Sequence, residues 1–253
     1  MRIIFLFIFL LASSLFAYTP GKWSYKDQLI FSKQTKSPQK EIIRNAEGTV
    51  VFVTDFIYDD EGRLVEERYS KGEGIKEGRT VYRYRNGLVI GEEVYSSDDT
   101  LVERKEFLYK GKFIQKIITK DESGKVLIHY TLTVDKEGSV IAGEGVNADT
   151  NDLESFRFSL DPKRPNVQIQ TMFSDKKKAL GEVVFKYDTK GQLVEREFSQ
   201  GETKRVHKLK YKQDGLLESY TFHVKQSDQW VLEKTHTLIY EDKFKNKVSK
   251  AEN

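Results

Sequence analysis

Four histidines, His129, His207, His223 and His236, and a dense scatter of Asp and Glu are the residues of this chain with the means to do chemistry. A local metal motif would set histidines at i, i+2 or i, i+4, and no two of the four stand at either spacing. His207 and His223 fall on neighbouring predicted strands, where they could meet; two half-buried strand histidines explain them equally well. The chain has no Gly-x-Ser-x-Gly elbow, no phosphate-cradling Gly loop and no His-Glu-x-x-His. Carboxylates are so frequent that choosing two as an acid/base pair would carry no information. The aspartates of "YDDEGRL", "VDKEGSV" and "YDTKGQL" (Asp59, Asp135 and Asp188) are calcium ligands by type. Each such turn offers too few oxygens for an ion that takes about six to eight. The expectation is a non-enzymatic protein with no cofactor and no metal.

The same aspartates make sense as turn residues, and the turns recur. Tyr58, Tyr84, Tyr109, Val134, Leu160, Tyr187, Tyr211 and Tyr240 each stand just before a turn, roughly every 25 residues. Each unit holds two short segments rich in Val, Ile, Tyr, Phe, Leu and Thr. In "TVYRYRNGLVIGEEVYS" Tyr82 and Tyr84 alternate with charged residues, and Asn86-Gly87 turns the chain. Alternation around Asn-Gly or Asp-x-x-Gly is the signature of antiparallel hairpins. Asp59, Asp135 and Asp188 can bond the turn backbone, while Gly62, Gly138 and Gly191 can take positive φ. The far ends of the units ("SKGEGIKEGR", "SSDDT", "KDESGK", "SDKKKA" and their equivalents) are polar and also turn. No segment after Ala17 sustains a helical period. "DPKRP", with Pro162 and Pro165, is the one irregular turn and a place where two sub-sheets could divide.

The phrases "YDDEGRLVEERYSKGEGIKEGRTVYRYRNGLV" and "YDTKGQLVEREFSQGETKRVHKLKYKQDGLL" resemble the YD-repeat (RHS-type) β-hairpin proteins of bacteria, and share a Tyr/Gly/Leu rhythm with MORN-like repeats. The Tyr-Asp pair itself stands at Tyr58-Asp59 and Tyr187-Asp188. The resemblance implies a non-catalytic strip of hairpins that curls, faces the cell exterior and binds or encloses something.

The ends and the composition bound where such a strip works. Arg2, the apolar run Ile3–Leu11 and the small residues up to Ala17 have the layout of a secretory signal peptide, so residues 1–17 are set aside from the fold. Residues 18–48 form an N-terminal segment with a possible degenerate repeat near Phe31, residues 49–245 the repeat domain and 246–253 a polar tail. An exported chain without cysteine must be stabilised by packing and pairing alone. With 42 Lys and Arg against 39 Asp and Glu, a net charge of +3 predicts no steering toward nucleic acid. Lys176-Lys177-Lys178 reads as a solvated turn. Glu66-Glu67-Arg68 and Glu103-Arg104-Lys105-Glu106 put charge on both faces of a strand, which argues against an integral membrane barrel.

The sequence therefore predicts an all-β, antiparallel up-and-down meander of about sixteen strands, curled into a trough, a barrel or two packed sheets. Curvature follows because an open, twisted sheet that wide could not bury its apolar face. Tyr58, Tyr84, Tyr109, Tyr187 and Tyr211 share one hairpin position and mark the core or a ligand face. The expected role is a binding or structural module at the cell envelope or outside it, with a protein, glycan or lipid partner. The alternative is a periplasmic carrier that holds a lipid or other apolar ligand on its concave face.

Overall fold

The computed structural model describes residues 36–72 and 74–240. The expected signal peptide, the degenerate repeat near Phe31 and the C-terminal tail lie outside the described residues. Sixteen strands run in order. They are β1 (Lys40–Asn45), β2 (Val50–Tyr58), β3 (Leu64–Lys71), β4 (Ile75–Arg85), β5 (Leu88–Ser96), β6 (Leu101–Lys110), β7 (Phe113–Asp121) and β8 (Val126–Val134). They continue as β9 (Val140–Asn147), β10 (Leu153–Asp161), β11 (Arg164–Ser174), β12 (Ala179–Tyr187), β13 (Leu193–Gln200), β14 (Thr203–Tyr211), β15 (Leu217–Gln226) and β16 (Gln229–Ile239). Each pairs antiparallel with its chain neighbours, and β1 pairs with β16, so the meander is a closed barrel. Closure removes both free edges of a wide, twisted sheet. No helix occurs among the described residues.

The last unit is divided between the two ends of the chain. Tyr240 takes the anchor position after β16, and the strand that should follow it is supplied by β1, with Lys40 opposite Ile239 and Asn45 opposite Lys234. Pro38, fully buried, stands where Leu64 stands in the next unit: it precedes Glu41 as Leu64 precedes Glu67, and its carbonyl accepts a tyrosine hydroxyl in the same way. Eight units thus close into a ring, with β1 drawn from the predicted N-terminal segment.

Hairpin chemistry sets the register. Asp59 Oδ1 accepts the N–H groups of Glu61 and Arg63, and Gly62 has φ 77°. Asp135 does the same for Glu137 and Ser139 with Gly138 at φ 93°, and Asp188 for Lys190 and Gln192 with Gly191 at φ 78°. Asn86 (φ 52°) and Gly87 (φ 75°) are both left-handed, as the two-residue hairpin turn requires. A bulge follows each turn: Tyr58 faces Leu64 while Ile57 faces Glu66, leaving Val65 over, and Tyr84, Tyr109, Val134, Tyr187 and Tyr211 sit at the same shift. Bulges sharpen local twist, which helps the sheet bend round on itself.

Two expectations change. The "DPKRP" turn does not divide the sheet. Leu160 pairs with Gln168 and Asp161 with Arg164, so residues 165–167 form a wide bulge in one continuous sheet. Pro165 lies within β11 rather than in the turn; its missing N–H is harmless where the ladder is already interrupted. The exclusion of an integral membrane barrel also fails. It rested on charge standing on both faces of the strands. Instead the sheet closes as sixteen antiparallel strands, an even-numbered up-and-down architecture shared with spanning barrels, and one of the two charged faces is turned inside.

The inside is filled at one end. A circular barrel of sixteen strands would leave an aqueous channel. Here Leu64, Val89, Ile114 and Val140, which follow successive bulges, are 0–5% exposed, and Phe56, Phe107 and Phe185 one layer deeper are 3% exposed. A side chain on an open wall keeps a wet tip, so the space over these residues is occupied by other side chains.

Candidate functional site: the interior of the barrel

At the packed end the anchor tyrosines have a structural task. Tyr58 Oη donates to the Pro38 carbonyl at 2.7 Å, Tyr84 to Leu64 at 2.8 Å, Tyr109 to Val89 at 2.8 Å, Tyr211 to Leu193 at 2.9 Å and Tyr240 to Leu217 at 3.0 Å. Each tyrosine ties its own hairpin to the preceding unit through the carbonyl freed at the bulge. Burial pushes the Tyr84 phenol up to about 12, and Tyr58, Tyr109 and Tyr211 are raised for the same leading reason. Tyr187 departs from the pattern. Its hydroxyl is 3.5 Å from Gln168 Oε1, in the unit whose bulge is widened and whose anchor, Leu160, is exposed.

Midway along the barrel, one repeat position carries ionisable groups that the hairpin rhythm alone does not single out. Eight or nine residues after successive anchors stand Glu67 and Glu92, with Glu41 equivalent in the divided unit; they are 1%, 4% and 1% exposed. Later units place Ile117, Gly143, Arg196 and Tyr220 there, and Gln170 ten residues after Leu160 in the unit with the wide bulge. The signal in the sequence was a Glu recurring in phase with the turns. Burying a carboxylate demands partners. Glu67 accepts from the Tyr82 and Tyr69 hydroxyls, both at 2.8 Å. Glu92 pairs with Lys105 at 3.0 Å. Glu41 Oε1 takes both the Tyr220 hydroxyl at 2.6 Å and His236 Nδ1 at 2.8 Å, which fastens β1 to β15 and β16 across the closing seam.

The histidines separate. His207 faces Phe222 and points inward, whereas His223 faces Val206 and points outward, so the two do not meet as a pair. The His207 ring lies 4.9 Å from that of Phe222 and 6.1 Å from that of Tyr220, and Tyr220 stacks on His236 at 4.1 Å. Burial, with the Arg196 guanidinium adding to it, lowers the His207 pKa to about 3.

Toward the other end, the polar turns between odd and even strands, the same inward face becomes solvent-reached. Phe52, Tyr69, Ile128, Phe198 and Phe222 are half-buried there, and Lys71, Glu154, Arg205 and Lys234 are exposed. The interior is a cup with a packed apolar floor, a belt of partnered ionisable groups and an open mouth. The outward face is charged at mid-strand, with ion pairs between neighbouring strands such as Lys40–Asp55 (2.9 Å), Arg83–Glu93 (2.7 Å), Lys120–Glu106 (2.6 Å) and Lys210–Glu218 (2.8 Å).

No family model and no curated protein matches the chain. Solved structures do. A porin-like protein from Bacteroides uniformis is 10% identical, with a TM-score of 0.52 over 82% of this chain and 98% of its own. At that identity the likeness is one of fold alone, shared with a protein described as porin-like, and it adds to the correction made above. A second porin-like protein, from Bacteroides vulgatus, is 7% identical with a TM-score of 0.35 over 81% of this chain. A TcdB2-TccC3-Cdc42 structure is 13% identical, with a TM-score of 0.34, over 76% of this chain and 14% of its own.

Proposed function

We propose that this protein is a non-enzymatic β-barrel of the cell envelope that acts by binding a ligand in the mouth of the barrel. The supporting observation is the gradient along one inward face, from Leu64, Phe56 and Val89 fully packed at the floor to Phe198, Phe222 and Arg205 reached by solvent at the mouth. Concave, partly apolar surfaces with a few convergent polar groups are where small molecules bind. The signal-peptide layout of residues 1–17, the hairpin rhythm shared with YD repeats of exported proteins and the porin-like fold favour the envelope. The carrier alternative, a lipid lying along the apolar wall, is less favoured because that wall is already covered by the protein's own side chains.

Ligand-observed NMR against a library of small organic molecules tests the reading. Hits should weaken on Phe222→Ala at the mouth and survive Tyr84→Phe at the floor. A library without hits, or hits lost equally in both variants, would sink it. Fractionation of host cells should find the protein in the envelope; recovery in the cytoplasm would refute that part.

A further inference from the structure

We infer that the inward wall of β13–β16 at the mouth is a site for an organic anion with a flat apolar body, a fused-ring carboxylate, sulfonate or phosphate. The inference rests on the reading of the mouth as the binding end. On these four strands the inward positions alternate cations with rings. Arg196 faces His207 across β13 and β14, and Phe198 faces Arg205, whose guanidinium lies 6.0 Å from the ring. His207 in turn faces Phe222, Phe222 faces Lys234, and Tyr220 faces His236. Every ring therefore has a cationic or imidazole neighbour, and every cation has a ring.

Of the four acids on these strands, Glu195 and Glu197 fall on the outward side by register, Glu218 pairs with the outward Lys210, and Glu233 is the extra residue of the β16 bulge, 3.5 Å from Gln226 Nε2. The wall is basic because three of its four acids are turned away and the fourth is held at the bulge, not because the segment is rich in lysine. On the adjoining strand the inward acid Glu41 holds His236 and Tyr220. Arg205 and Lys234, the outermost cations, form no ion pair among the described residues and are exposed, while Phe198 and Phe222 are half-buried beside them. A flat ring can stack between such aromatics while its anionic group meets the guanidinium and the ammonium. Inside the rim of a barrel these charges act through less water than on an open surface. Across the mouth Glu154 faces inward on β10, which disfavours an anion there, and Glu103 on β6 is paired with Lys105 at 2.9 Å.

Equilibrium dialysis with three probes of one shape tests this: naphthalene-2-sulfonate, 2-naphthalenemethanol and (2-naphthylmethyl)trimethylammonium. The sulfonate should bind most tightly and the ammonium least. The double variant Arg205→Glu, Lys234→Glu should weaken the sulfonate on the order of tenfold or more. The outward double variant Lys204→Glu, Lys208→Glu, with the same change in net charge, should stay within roughly twofold of the parent. Added salt should weaken sulfonate binding by the parent protein and leave the alcohol unchanged, a readout that does not depend on any variant folding. Equal binding of the three probes, or sulfonate affinity indifferent to the inward reversal, overturns the charge assignment and leaves the mouth as a binding end. Failure of all three probes to bind overturns both.

Discussion

The floor and the mouth of this barrel are made by the same repeat and differ in everything that follows from burial. At the floor five of the eight units contribute a tyrosine whose hydroxyl is already committed to a backbone carbonyl of the preceding unit. At the mouth, four residues further along the same inward face from Leu209 and Leu238, stand the exposed Arg205 and Lys234 with half-buried rings beside them. The lesson is that periodicity fixes direction, inward or outward, while depth decides whether an inward residue is structural or available.

Substitutions at the two ends sharpen that contrast. Leu64→Ala at the floor should cost about 2–5 kcal/mol in urea unfolding, because a fully buried side chain leaves a cavity. Val224→Ala at the mouth should cost under about 1 kcal/mol. Equal losses would mean that both ends are packed alike. Next in size is a pH effect at the belt between them. His207 stays neutral in the folded barrel down to about pH 3, whereas in the unfolded chain it titrates near its ordinary value of 6.5. The unfolded chain gains the proton first, so stability is whole above pH 6.5 and falls as pH drops from 6.5 toward 3. The loss should reach roughly 3 kcal/mol by pH 4, and His207→Leu should flatten that slope; an unchanged slope would show that the ring is not held neutral.

Smaller effects probe the floor alone. Tyr84→Phe leaves the Leu64 carbonyl without its hydroxyl donor and should cost about 1–2 kcal/mol. Gly62→Ala meets no atom within 4 Å, yet its φ of 77° is strained for any L side chain, so about 1 kcal/mol should be lost from backbone strain alone. Thermal unfolding of both variants gives these values; a neutral Gly62→Ala would show that the turn relaxes.

The turns, the strand number and the inward direction of the tyrosines were legible because each depends on residues close in sequence. Asp59 and Gly62 are three apart, and a Tyr needs only the alternation of its own strand to declare its face. What escaped depends on closure. Nothing near Lys40 says that it pairs with Ile239, so β1 read as part of a separate N-terminal segment. Glu67 read as one of a charged run, because the contact that buries it, the Tyr82 hydroxyl, comes from the next strand. Glu103-Arg104-Lys105-Glu106 puts charge on both faces of its strand, which in the sequence argued against a membrane barrel. Once the sheet closes, Glu103 and Lys105 belong to the interior and Arg104 and Glu106 to the exterior.

The divided eighth unit also has a consequence for how the chain folds during synthesis. Hairpins such as β2–β3 pair residues near in sequence and can form as soon as they emerge, but β1 waits for β16, the last strand of the barrel to leave the ribosome. Until then the growing sheet has two unprotected edges, each able to pair with a neighbouring nascent chain. Export before folding would postpone that exposure to the far side of the membrane, and any truncation that removes β16 would leave the edge of β1 permanently open to aggregation.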